Sequence, residues 1–262
     1  MKGPLRRGIP LRAVAPNAVT ALALCSGLTA VRFAIGEQWE LALAAIVVAG
    51  VLDGLDGRIA RMLKGESRFG AELDSLSDVI AFGVAPALVL FLWSLVDVPR
   101  YGWVFALSFT VCAALRLARF NAAIDASEQP HKSAGFLTGV PAPAAAGLAL
   151  LPIYLWLVTG EVWFRSPFVV APWLAGIAFL MISSIATYGW SSMRLRRNIR
   201  FEALAGVAIV FGALLSAPWA TLAVICVLYL VLIPFSVRSY AKVKRQRAAA
   251  RAIEPPSGSH AA

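Results

Sequence analysis

Six of the chain's 14 acidic residues fall in one stretch, LDGLDGRIARMLKGESRFGAELDSLSD, from Leu52 to Asp78. Asp53 and Asp56 are three residues apart, and Asp74 and Asp78 are four apart. Both spacings put the members of a pair on one face of a helix. A cluster of four carboxylates is an all-oxygen donor set, which suits Mg2+, Mn2+ or Ca2+. Four carboxylates fit two divalent ions better than one. A two-metal arrangement clamps the oxygens of a substrate phosphate, so the spacing points to phosphoryl chemistry.

The surroundings make the cluster costly. The stretch lies between two apolar runs, and an ionisable residue within a membrane span costs roughly 2.5–3.5 kcal/mol at a helix centre. Positive charge must sit among the carboxylates, from bound cations or in part from Arg58, Arg61 and Arg68. Gly50, Gly54, Gly57 and Gly70 on and beside the acid-bearing segments let a ligand or another backbone approach closely.

The elements that must hold these residues are membrane helices. The chain has 262 residues, 60% of them hydrophobic and only 15% charged, with a mean hydropathy of +0.76. That is far more apolar than an ordinary soluble domain, and several runs reach the length that spans a bilayer. Eight spans are expected, at about 16–35, 40–61, 71–96, 101–120, 137–158, 168–189, 202–217 and 219–237. The last two divide one long run at Ala217-Pro218-Trp219. The second span then ends with Asp53 and Asp56, the third begins with Asp74 and Asp78, and a hairpin brings the pairs together. The expected fold is an all-α, polytopic transmembrane bundle: residues 1–15 a basic juxtamembrane segment, 16–237 the transmembrane catalytic domain, and 238–262 a tail that begins basic and then loses order.

Eight spans put 21 of the 24 Lys and Arg residues on one side, leaving only Arg32, Arg100 and Arg165 on the other. Basic loops stay in the cytoplasm, so both termini and the carboxylate cluster are expected there. The net charge of +10 then serves anionic lipid headgroups, and nucleic acid is not needed as a partner. Cys25, Cys112 and Cys226 sit in apolar runs without metal-binding spacing and read as small buried hydrophobes. Trp39, Trp103, Trp163 and Trp219 near span ends suit an interfacial aromatic belt. His131 reads as a solvated loop residue.

Asp53, Asp56, Gly57, Ala60, Arg61, Gly70, Asp74 and Asp78 meet the pattern D-x2-D-G-x2-A-R-x8-G-x3-D-x3-D at every position. In this the chain resembles the CDP-alcohol phosphatidyltransferase family. Pro16-Asn17-Ala18-Val19-Thr20 is similar to the family's P-N-x-x-T segment at the start of the first span. Three further stretches resemble bacterial phosphatidylserine synthases of the integral-membrane type. These are Glu72 to Asp78 with Phe82 to Ala87, Arg116 to Asn121, and Phe136 to Ala146. The resemblance covers roughly residues 14–150, and the last three spans carry no such motif.

The resemblance implies a six-helix catalytic core, a homodimer, and a site that binds CDP-diacylglycerol and L-serine at the cytoplasmic face of the bacterial inner membrane. It implies two divalent ions, Mg2+ or Mn2+, held by Asp53, Asp56, Asp74 and Asp78, with Asp78 also the general base. Asn17, Thr20, Gly57, Ala60, Arg61 and Gly70 are expected to contact the CDP-lipid. Arg116 and Arg119, helped by Asn121, are candidates to receive the serine carboxylate, because an arginine fork pairs both oxygens. Two other readings stay open: a relative using another alcohol, such as a glycerol-phosphate or inositol-phosphate acceptor, and a cation transporter, whose acids belong nearer the bilayer midplane.

Overall fold

The computed structural model describes residues 11–65, 67–124, 136–183, 186–188 and 200–253. Among them run ten α-helices: α1 Leu11–Ile35, α2 Trp39–Leu63, α3 Arg68–Asp78, α4 Ala85–Trp93, α5 Pro99–Ile124, α6 Ala142–Ala149, α7 Leu151–Thr159, α8 Pro167–Ile182, α9 Arg200–Ser216 and α10 Pro218–Ile253. The only strands among the described residues, β1 Phe136–Thr138 and β2 Ala186–Tyr188, pair antiparallel with Phe136 opposite Tyr188. Five stretches are long and apolar enough to cross a membrane: Val14–Ile35, Arg68–Trp93, Arg100–Ala122, Ala142–Thr159 and Pro218–Phe235. This is an all-α polytopic membrane protein.

Each of the eight expected segments falls mainly on helical chain, but several ends differ. The first helix begins at Leu11 and carries Pro16 inside it. The fifth begins at Ala142 rather than 137, because Pro141 is held outside the helix at φ −57, ψ 146 and the residues before it form β1. The sixth ends at Ile182, short of β2. The last helix continues past its apolar part, through Pro234, to Ile253. The N-terminal residues 1–10, Glu66, the loop around His131, the basic residues Arg194 to Arg197 and the tail after Ile253 lie outside the described residues.

The chain divides into two compact units, residues 1–125 with 141–182, and residues 126–140 with 183–262. In the first, α1 and α2 form a hairpin through Gly36, Glu37 and Gln38, with Glu37 at φ 56. Their facing surfaces are small: Ala23, Ala30 and Ala34 from α1, and Ala42, Ala45 and Ala49 from α2, are all buried. Such residues let membrane helices approach closely enough for polar groups to meet, and Ser26 Oγ donates to the Ala45 carbonyl at 2.8 Å. α3 and α4 are joined by a π-helical turn, Val79–Val84. A Cβ added to Gly27 of α1 would sit 2.8 Å from the Ala81 Cα in that turn. Phe82, from the same turn, is buried with Ala49, Ala81, Ala142 and Ala146.

At the opposite end of this unit, Arg165 Nε donates to the Trp93 carbonyl at 2.8 Å and Ser94 Oγ to the Arg165 carbonyl at 2.6 Å. Trp93 is fully buried there, edge-on to Trp156. In the second unit, α9 and α10 expose Phe201, Val207, Phe211, Leu228 and other large apolar side chains. Helices this apolar over this much of their surface suit lipid contact.

Candidate active site

The carboxylates are positioned by the turn between α2 and α3. α2 ends with Lys64 in the left-handed region, φ 49, and Gly65 N–H donates to the Ala60 carbonyl at 3.0 Å. These bonds satisfy carbonyls that the helix end would leave open. α3 then starts on Ser67, an N-cap whose Oγ accepts from Gly70 N–H at 3.0 Å. A Ser cap of this kind is worth about 1 kcal/mol. With both helix ends closed so tightly, the chain turns back and α3 packs against α1, within side-chain reach of the C-terminal part of α2.

The side chains of Asp53, Asp56 and Asp74 meet in consequence. Each offers a carboxylate oxygen, and these oxygens lie within 4.8 Å of one another. Asp78, one turn beyond Asp74, is within hydrogen-bonding reach of Asp53 and electrostatic reach of Asp74 and Arg116. Its Oδ1 is buried with no hydrogen-bond partner. A buried carboxylate oxygen without a partner is costly, so a cation or a proton donor belongs beside it. The donor set is all oxygen, the chemistry of a hard divalent ion. The cluster can hold a metal.

Asp56 is the most enclosed of the group, at 5% exposure. Thr20 of α1 donates its hydroxyl to Asp56 Oδ2 at 2.6 Å. Ser77 Oγ donates to the Thr20 carbonyl at 3.3 Å. Sequence reasoning passed over Ser77, and the available signal was slight: a small polar residue next to a signature aspartate.

A cavity of about 450 Å³ opens beside the cluster. Asn17, Thr20, Gly57, Ala60, Arg61 and Gly70 all line it, together with Asp56 and Asp74. The two glycines act differently. A Cβ at Gly70 would lie 2.7 Å from Asn17 Oδ1, so glycine there admits the Asn17 side chain. A Cβ at Gly57 would meet nothing within 4 Å, so glycine there leaves free space. Arg61, an exposed residue on the rim, turns its Nε back to the Gly57 carbonyl at 3.0 Å.

The residues near the end of α5 have separate partners. Arg116 lies within electrostatic range of Asp78. Asn121 Nδ2 donates to Ser75 Oγ at 2.9 Å, tying α5 to α3. Arg119 Nη2 donates to the Ile182 carbonyl at 3.0 Å, at the C-terminal end of α8. The structure therefore puts Arg116 within electrostatic range of one carboxylate and engages Arg119 with a helix end.

Comparison with known proteins agrees with this geometry. A family model for CDP-alcohol phosphatidyltransferase matches residues 13–188. A second, CDP-alcohol phosphatidyltransferase 2, matches residues 198–234, where hydropathy alone was legible in the sequence. The chain is 42% identical over 234 residues to a CDP-diacylglycerol–serine O-phosphatidyltransferase of Mycobacterium tuberculosis, covering 89% of this chain and 81% of that protein. A Helicobacter pylori protein of the same name is 40% identical over 140 residues, 53% of this chain and 57% of that one. An archaetidylserine synthase of Methanothermobacter thermautotrophicus is 33% identical over 175 residues, 65% of this chain and 67% of that one. With a family model spanning most of its length and a carboxylate cluster built on that family's signature, the chain belongs to the CDP-alcohol phosphatidyltransferase family.

Proposed function

We propose that this protein makes phosphatidylserine by transferring the phosphatidyl group of CDP-diacylglycerol to the hydroxyl of L-serine, with release of CMP. The observation that carries the reading is the meeting of Asp53, Asp56 and Asp74 beside a cavity, in a chain 42% identical to a serine phosphatidyltransferase over 89% of its length.

Asp53, Asp56, Asp74 and Asp78 would hold two divalent ions, Mg2+ or Mn2+. When bound, such ions neutralise the diphosphate and the charge that develops on departing CMP. The chain's own groups do the rest. Asn17, Gly57, Ala60 and Gly70 shape the cavity for the nucleotide and diphosphate, and Arg61 lies at its rim. Serine Oγ attacks the phosphorus that bears the diacylglycerol. The new O–P bond forms as the bridging bond to CMP breaks, and the hydroxyl proton passes to Asp78. The buried Oδ1 of Asp78, without a hydrogen-bond partner, supports that role. A carboxylate is a weak base for an alcohol, so positioning supplies much of the acceleration. Arg116 receives the serine carboxylate, Asn121 braces the helix that presents it, and Arg119 anchors α8.

The site opens toward the cytoplasm of the bacterial inner membrane. The 21-to-3 division of Lys and Arg over eight spans supports that topology, with both termini inside. Residues 16–237 form the membrane-embedded catalytic part, and 1–15 and 238–262 flank it. The assembly is a homodimer, as the family resemblance implies.

Purified protein supplied with CDP-diacylglycerol, a panel of alcohols and either divalent ions or chelator tests the reading by CMP release. Serine-dependent release that needs divalent ions is expected. Equal release with glycerol phosphate or inositol phosphate would reassign the acceptor. Divalent-ion flux in liposomes without CDP-lipid would favour transport instead.

A further inference from the structure

Four polar residues among those described are buried: Thr20, Asp56, Ser77 and Ser94. Three of them form one chain of hydrogen bonds at the wall of the cavity. Ser77 Oγ donates to the Thr20 carbonyl at 3.3 Å, and Thr20 Oγ1 lies 2.6 Å from Asp56 Oδ2 and 3.1 Å from the Pro16 carbonyl. A hydroxyl has one proton to give. The shorter contact is to a carboxylate, and a charge-assisted bond is the stronger, so the proton goes to Asp56.

That assignment changes what Thr20 does. The sequence motif makes it a contact for the nucleotide. The structure buries it to 4% exposure and commits its only hydroxyl proton to a carboxylate of the cluster. Ser77, the neighbour of Asp78, reaches across from α3 to grip the α1 backbone at the same residue. We propose that Thr20 is a positioning residue: it acts through Asp56, holding that carboxylate's Oδ2 so that the other oxygen faces Asp53 and Asp74, while Ser77 locks α1 to α3. Groups that orient metal ligands in this way commonly change metal affinity or activity by about 10–100-fold when removed.

The inference rests on the metal reading above, and its test separates the two. Mn2+ is titrated into detergent-solubilised protein without nucleotide and followed by electron paramagnetic resonance, for the parent, Thr20→Val and Thr20→Ser. Valine keeps the volume and removes the hydroxyl, while serine keeps the hydroxyl. Thr20→Val is expected to weaken Mn2+ binding by about 10–100-fold, with Thr20→Ser within about threefold of the parent by the same reasoning. At saturating Mn2+, the KM for CDP-diacylglycerol in Thr20→Val stays close to the parent value. Unchanged Mn2+ affinity in Thr20→Val overturns the proposal, and a raised lipid KM beside it returns Thr20 to the nucleotide. Should Thr20→Val not fold, Thr20→Ala takes its place: Mn2+ affinity about tenfold or more below that of Thr20→Ser supports the proposal, and affinity equal to that of Thr20→Ser overturns it. A parent that binds no divalent ion overturns the metal reading and this inference with it.

Discussion

Asp74→Asn offers the sharpest test of the carboxylate cluster, because stability and activity should move in opposite directions. The carboxylate oxygens of Asp53, Asp56 and Asp74 lie within 4.8 Å of one another. At an effective dielectric of about 20, two unit charges at that distance repel by about 3.5 kcal/mol. Asparagine at position 74 removes two of the three pairs, about 7 kcal/mol of repulsion in the cation-free protein before screening. Screening by water and salt in the open cavity reduces this, and a third of it leaves about 2 kcal/mol. For a chain of this size that raises the apparent Tm by about 4–8 °C in chelator. Saturating Mn2+ reverses the advantage. A ligand at 100 times its Kd stabilises the parent by about 2.7 kcal/mol, and the variant, short of one ligand, gains less. The assay is thermal unfolding in nanodiscs, with chelator and with Mn2+, beside CMP release. A variant less stable than the parent in chelator would refute the idea of a mutually repelling group. A parent unmoved by Mn2+ would refute its use as a cation site.

Other substitutions probe single roles. Asp78→Asn removes the proposed base at nearly constant size, so kcat falls by about 10²–10⁴-fold while the protein stays folded, measured by CMP release and thermal unfolding. Arg116→Lys loses the fork that pairs a carboxylate, so serine KM rises about tenfold or more. Arg119→Lys leaves serine KM unchanged and costs about 1 kcal/mol of stability, through its bond to the end of α8. Gly57→Ala gains about 1 kcal/mol of helix propensity and meets no neighbour within 4 Å, so the protein melts no lower. Its methyl group narrows the cavity, and the KM for CDP-diacylglycerol rises.

The cluster was legible because helical spacing is a local property. The spacings of three and four between aspartates, with a short breaker between two apolar runs, dictate two faces brought together by a hairpin. The cavity lining was legible only through the resemblance, since nothing in the spacing of Asn17 or Ala60 marks them as neighbours. Long-range pairings were not legible. Arg116 and Arg119 read alike as basic residues at a span end, yet one lies within electrostatic range of Asp78 and the other bonds the Ile182 carbonyl. Three residues apart on one helix, they differ only in what packs near them: the end of α8 lies against Arg119. The π-helical turn at Val79–Val84 left no clear mark either, because a single-turn change of hydrogen bonding is set by tertiary packing. Its position directly after Asp78 is in keeping with the tendency of such turns to lie at functional sites.

The need for a cation can be argued from the helix ends. A helix N-terminus carries partial positive charge, but the effect fades within the first turn. Asp74 and Asp78 lie in the second and third turns of α3, and Gly70 N–H, among the amides that precede them, is already taken by Ser67. The C-terminal end of α2 carries partial negative charge and gives Asp53 and Asp56 no help. Arg61 bonds its own helix, and the nearest charge to Asp78 besides the carboxylates is the single guanidinium of Arg116, one cation against four anions. A diphosphate brought against the bare carboxylates would add anion to anion. Substrate and protein therefore need the same positive charge at the same place. A cation shared between them serves both, and this explains why so apolar a chain keeps its acidic residues together beside the cavity.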